Sequence, residues 1–171
     1  DIRKAFDDNN VYMESMEKIE GWIEIDGELM GVDDNPDSII DECKRRMDVA
    51  VEMGAKNILA APSFSHRGKS ATELDGAKRF NKIIDIGKSI GILPSLEFMG
   101  QTGQIDTIEK CINFINLLDY PTQIVVDAYH LWRGGGKITD FEKITPDRVS
   151  VLHISDADKN IPRLDHRDRD R

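Results

Sequence analysis

The chain has 171 residues, with 23 Lys plus Arg against 32 Asp plus Glu, a net charge of -9 and a hydrophobic fraction of 39%. That is one domain's worth of chain with enough apolar content for a core, and no run approaches the roughly 20 apolar residues of a membrane span or the basic-then-apolar pattern of a signal peptide. The acidic balance, with a pI near 4.9, disfavours nucleic acid as a partner, and the expected location is the cytoplasm.

Hydrophobic periodicity predicts the elements in chain order. A weak strand is expected over 11–16, then a helix over 38–53 with Ile39, Ile40, Cys43, Met47, Ala50 and Val51 on one broad face. Pro36, Asp37 and Ser38 supply its start signals, and Gly54 supplies the left-handed residue that closes it. NILAAP at 57–62 reads as a strand. The helix that follows, over 74–90, presents Ala77, Phe80, Ile83, Ile84 and Ile90 and stops at Gly91. After the strand ILPSLEF at 92–98, a helix over 106–118 carries Ile108, Cys111, Ile112, Ile115 and Leu118 at spacings of three and four. QIVVDA at 123–128 and VSVLHIS at 149–155 are the remaining strands. Cys43 and Cys111, far apart on helix faces, are expected to be reduced core thiols. The closing run DHRDRDR holds nothing apolar to anchor it and is expected to be a solvated loop or tail. With Asp1 rather than Met at its start, the chain reads as a piece of something longer.

The strands are apolar nearly throughout rather than alternating, as in a parallel sheet covered on both faces. Helix, glycine and strand recur as MGAKNILA and IGILPSLE, and strand starts are spaced by roughly 26 to 35 residues, the size of a strand-helix unit. Such units build either an open doubly wound α/β sheet or an eight-stranded barrel. A full barrel takes about 250 residues, so length alone favours the open sheet.

The polar residues decide otherwise. Glu97, Asp127 and His153 end three successive strands, and in a parallel barrel the carboxyl ends of neighbouring strands open on one face. Two oxygen donors and one imidazole suit a divalent ion such as Mn, Mg, Co or Zn, not a thiolate zinc site. Three ligands leave the shell open to a fourth ligand or a chelating substrate. His130 follows Asp127 in DAYH, where the chain is expected to turn into a loop above the strand and reach a bound ligand; His66, in SFSH after the second strand, is a weaker candidate for the same role. Trp132 and the glycine run Gly134 to Gly136 suggest a mobile loop on that face.

SLEF with Glu97, VVDAYH with Asp127 and His130, and LHISDADK with His153, in that order and spacing, resemble the xylose isomerase-like barrels, which include sugar phosphate isomerases and epimerases, inosose dehydratases, hydroxypyruvate isomerases and endonuclease IV. The resemblance covers the chain from about Val11 to its end. It implies a (β/α)8 TIM barrel in which a glutamate, an aspartate, a histidine and a second glutamate hold one divalent ion; the first three carry over to Glu97, Asp127 and His153. It makes His130 the histidine that touches substrate oxygens, and places Lys159, six residues past His153, where a basic substrate contact occurs. The second glutamate is expected beyond Arg171. By the same alignment residues 1–171 form a single barrel domain holding the third to seventh strands, an incomplete barrel of about five, either part of a longer protein, the favoured reading, or a remnant.

The activity implied is a metal-dependent isomerase or epimerase of a small sugar, sugar phosphate or related polyhydroxy carbonyl compound, working through an enediolate, with Glu97 as both ligand and acid or base. Dehydration of a related cyclitol or keto acid begins with the same proton removal. Two other classes stand beside it: an endonuclease IV-like zinc phosphodiesterase using His66, His130 and His166, and a noncatalytic sugar-binding barrel. Against the nuclease, Asp165 and His166 are adjacent in LDHRD, whereas the nuclease pattern places one residue between such a pair. The partner expected is a small carbohydrate, with no membrane; self-association is left open.

Overall fold

A computed structural model describes residues 2–62, 72–102 and 104–167. Five strands, β1 (Ser15–Ile19), β2 (Asn57–Ala60), β3 (Leu93–Glu97), β4 (Ile124–Asp127) and β5 (Val149–His153), form one parallel sheet in the order β1-β2-β3-β4-β5. Spatial order equals chain order, without the reversal that defines a doubly wound sheet. Right-handed crossovers between successive neighbours all return on the same face, so the sheet curls as a sector of a TIM barrel, with β1 and β5 at its two edges.

Short α1 (Ile2–Asp8) precedes the sheet; α2 (Pro36–Glu52), α3 (Glu73–Ile90) and α4 (Ile108–Ile115) make the first three crossovers. Each begins on a side chain that accepts a backbone N–H: Asn35 from Asp37, Thr72 from Asp75 and Thr107 from Lys110. Gly91, at φ +86°, closes α3 in the left-handed conformation that its glycine permits. The crossover from β4 to β5 is a six-residue helix, α5 (Ala128–Arg133), followed by two 3₁₀ turns.

The two faces of the sheet differ. Ile58, Ala60, Leu96, Ile124 and Val126 pack outward into the helix layer, where the rings of Trp22, Phe80 and Phe114 meet with centroids 4.6 to 6.1 Å apart. Trp22 lies just past β1, and Arg79 of α3 donates to the carbonyls of Trp22 and Ile23, fixing that loop over the helices. Ser95, Glu97, Val125 and Asp127, the intervening residues of β3 and β4, are also buried and face the concave side. Cys43 and Cys111 are free and fully buried, as the sequence predicts. Among the described residues no helix is long and apolar enough to cross a membrane.

Candidate metal centre

Register brings the three strand-end residues together. His153 is paired with Asp127 across β4 and β5, and Glu97 is paired with Val125, two residues before Asp127 and on the same face. Since side chains alternate along a strand, all three point into the concavity, and a one-residue slip would turn any of them toward the helices.

His153 Nδ1 lies 3.4 Å from Glu97 Oε1 and 3.7 Å from Asp127 Oδ2. One donor atom from each residue falls within 4.8 Å of the others. Donors bonded at about 2.1 Å to one tetrahedral ion stand about 3.4 Å apart, close to the two separations from His153 Nδ1, so small side-chain shifts would bring one atom of each residue onto a common ion. Chemistry agrees with geometry. Glu97 is 5% exposed and Asp127 1%, and two carboxylates desolvated side by side are costly unless a cation joins them. In the metal-free chain His153 responds to these carboxylates: its hydrogen bond to Glu97 holds its imidazole pKa above the ordinary value against the opposing effect of burial, and the charges of Glu97, Asp127 and Glu17 add to the shift. Glu17 stands on β1 at the opposite edge of the sheet, so its influence on His153 reflects the inward curl.

Asp127 also works as a helix cap. Its Oδ1 accepts the backbone N–H of His130 at 2.8 Å, starting α5 and leaving Oδ2 toward His153. Such an outer hydrogen bond fixes the orientation of a ligand carboxylate.

The sequence profile described as xylose isomerase-like TIM barrel matches residues 1–171. The chain belongs to the xylose isomerase-like TIM barrel family. Inosose isomerase of Halalkalibacterium halodurans is 25% identical over 129 residues, 70% of this chain and 44% of its own length. Among solved structures, the IOLI protein with a bound zinc atom superposes with a TM-score of 0.82 and 18% identity, covering 99% of this chain and 60% of its own. D-Allulose 3-epimerase of Methylomonas sp., in complex with D-allulose, superposes with a TM-score of 0.74 and 13% identity, covering 90% of this chain and 55% of its own. This chain of the xylose isomerase-like family therefore spans about half the length of such relatives, and the structural likenesses concern the fold.

The remaining candidates fall in different places. His130 lies in α5 rather than in a loop and is 1% exposed. The same correction applies to Trp132, which is helical and 36% exposed; the glycine run begins only past the helix end. The overlooked signal was Asp127 itself, a capping residue three positions before His130. Trp132 and Lys159 line one cavity of about 380 Å³ together with Tyr129 and Asp156, just past the ends of β4 and β5. His66 lies outside the described residues. His166, in the run expected to be solvated, is fully buried: its ring meets Trp132 edge-on at 5.2 Å, and its Nδ1 stands 3.4 Å from the Tyr129 hydroxyl. The expectation fails at His166 alone, because an imidazole can pack its ring against aromatic neighbours even in a charged run; Asp165 and Arg167 are exposed, and 168–171 lie outside the described residues. Among the described residues, Glu97, Asp127 and His153 are the one group of three metal-capable side chains.

Proposed function

We propose that the chain carries the active face of a divalent-metal-dependent isomerase or epimerase of a small sugar, sugar phosphate or related polyhydroxy carbonyl compound. The observation that carries this reading is the convergence of Glu97, Asp127 and His153 at the carboxyl ends of three neighbouring strands, the face from which barrel enzymes draw their active residues. Family membership and the likeness to an inosose isomerase and to an allulose epimerase support the substrate class.

Glu97, Asp127 and His153 would hold the ion, and the mixed oxygen and nitrogen set suits Zn, Mn, Co or Mg; the zinc bound by the IOLI structure makes zinc the first to test. Bound there, the cation supplies electrostatic stabilisation for negative charge on substrate oxygens. Glu97 takes the proton from the carbon beside the carbonyl, a role suited to a carboxylate in a nearly dry site. Returning it to the former carbonyl carbon while the hydroxyl proton passes to the former carbonyl oxygen completes an isomerisation, whereas an epimerisation returns a proton to the same carbon from a second acid on the opposite face. His130, held by its backbone to Asp127, hydrogen-bonds the substrate hydroxyls once substrate fills the site. The cavity lined by Trp132 and Lys159 receives the distal end of the substrate, and its size is within the range of small-ligand sites. Loss of water from a related cyclitol or keto acid would begin with the same proton removal.

Metal analysis followed by a screen of ketoses, inososes and hydroxypyruvate tests the reading. Stoichiometric metal, with turnover abolished in Glu97→Gln, is expected; near-normal turnover in that variant removes the double role of Glu97. His130→Ala separates the enzyme classes, since it should lower kcat/KM with metal content intact. Loss of metal from that variant would instead favour the multi-zinc phosphodiesterase.

A further inference from the structure

Helix α5 is only six residues long, too short to hold itself in place, yet its first turn orients Asp127 through the His130 N–H. Its position is set from two sides. On one, the loop after β3 approaches so closely that a Cβ on Gly100, three residues past Glu97, would lie 2.3 Å from the His130 carbonyl oxygen and 2.6 Å from the Gly134 nitrogen. On the other lies the segment 162–167. Arg133, the last residue of α5, is 8% exposed. Its Nε donates to the His166 carbonyl at 3.1 Å and its Nη2 to the Leu164 carbonyl at 2.8 Å. Arg163 returns the contact, its Nη1 donating to the Arg133 carbonyl at 2.9 Å. Tyr129 and Trp132, one and two helical positions away from His130, pack on the His166 ring.

A largely buried guanidinium satisfied by two carbonyls holds its geometry tightly, because moving either carbonyl leaves part of a desolvated charge unmet. We propose that Arg133 is a positioning residue for the metal centre: by clamping segment 162–167 to α5 it pins the His130 N–H against Asp127 and keeps Oδ2 of Asp127 turned toward His153. This rests on reading Glu97, Asp127 and His153 as a metal site. The coupling is reciprocal: an ion that fixes Asp127 also steadies α5 and the segment clamped to it.

The test uses the whole chain and zinc alone, with affinity measured by competition against a chromophoric chelator. Arg133→Ala should weaken zinc binding about ten-fold, the lower end for loss of an outer-shell support, and Arg133→Lys, which keeps the charge but not the planar fork that reaches two carbonyls, about three-fold. Ile83→Val, in the helix-layer core away from α5, serves as a control for general loosening and should lower Tm while leaving affinity within two-fold. In the wild-type chain saturating zinc should slow hydrogen exchange over 162–167 at least three-fold, and this protection should vanish in Arg133→Ala. A folded Arg133→Ala with wild-type affinity overturns the proposal, as does wild-type affinity in Arg133→Lys should the alanine variant fail to fold. Equal weakening by Ile83→Val also overturns it. A wild-type chain that binds no zinc removes the metal-centre reading itself, a result distinct from the others.

Discussion

Replacing Asp127 separates its two roles. Asp127→Asn preserves the cap, because asparagine is as good a cap as aspartate and its side-chain oxygen can still accept the His130 N–H that Oδ1 accepts at 2.8 Å. The atom turned toward His153, however, becomes an NH2 donor in place of the carboxylate Oδ2 that stands 3.7 Å from Nδ1. Asp127→Ala removes both functions. In the metal-free state the asparagine variant should therefore be about as stable as wild type, since it also relieves the burial of a second carboxylate beside Glu97. The alanine variant should lose about 1 kcal/mol, the usual value of a cap. Both should lose zinc affinity by more than the ten- to about a hundred-fold typical of outer-shell partners, since a ligand itself is gone. Urea unfolding in chelator and zinc titration against a competing chelator read the two quantities independently. An asparagine variant that binds zinc like wild type, or is as destabilised as the alanine variant, would refute the division of labour between the two oxygens.

Three further outcomes follow from the structure. Burial pushes the Cys43 thiol up to about 12 and the Cys111 thiol higher still, so neither should react with a thiol reagent at pH 8 until the chain is unfolded; stoichiometric labelling of the native protein would contradict the burial. In metal-free protein the His153 imidazole should titrate by NMR above its ordinary value, chiefly because of its hydrogen bond to Glu97. A raised folded-state pKa makes the contribution of this group to stability full below the ordinary imidazole value and lost as pH rises through the raised one; zinc should reverse the shift by holding the ring neutral, and a midpoint at or below the ordinary value without metal would count against the pairing. Trp22→Ala, which empties the centre of the ring cluster with Phe80 and Phe114, should cost roughly 3 to 5 kcal/mol, whereas a loss below about 1 kcal/mol in urea unfolding would show that the cluster does not organise the helix layer.

The elements legible in the sequence are those with local chemistry at their ends. Pro36 and Gly91 mark ends of α2 and α3, and the expected spans 38–53 and 74–90 lie within two residues of the observed Pro36–Glu52 and Glu73–Ile90. The third helix is shorter than its apolar spacing suggests, Ile108–Ile115 instead of 106–118, because the cap is Thr107 and the chain turns after Ile115. β1 lies at Ser15–Ile19 and not at 11–16: it is a half-exposed edge strand whose position is set by pairing with β2, an interaction that no local pattern encodes. α1 was not predicted because it buries nothing; the i,i+4 pairs Arg3–Asp7 and Lys4–Asp8 mark it instead. The triad was visible because Glu97, Asp127 and His153 interrupt apolar runs at the point where a strand ends. The packing of His166 on Tyr129 and the clamp from Arg133 were not, since both join residues more than thirty apart whose contact depends on how the last segment folds back.

The central claim is that these three side chains share one ion, and anomalous diffraction from crystals grown with zinc reads that directly. The account predicts one peak about 2.0 to 2.2 Å from His153 Nδ1 and from a carboxylate oxygen of each of Glu97 and Asp127. A peak elsewhere, or none at this position with zinc at millimolar concentration, would contradict it.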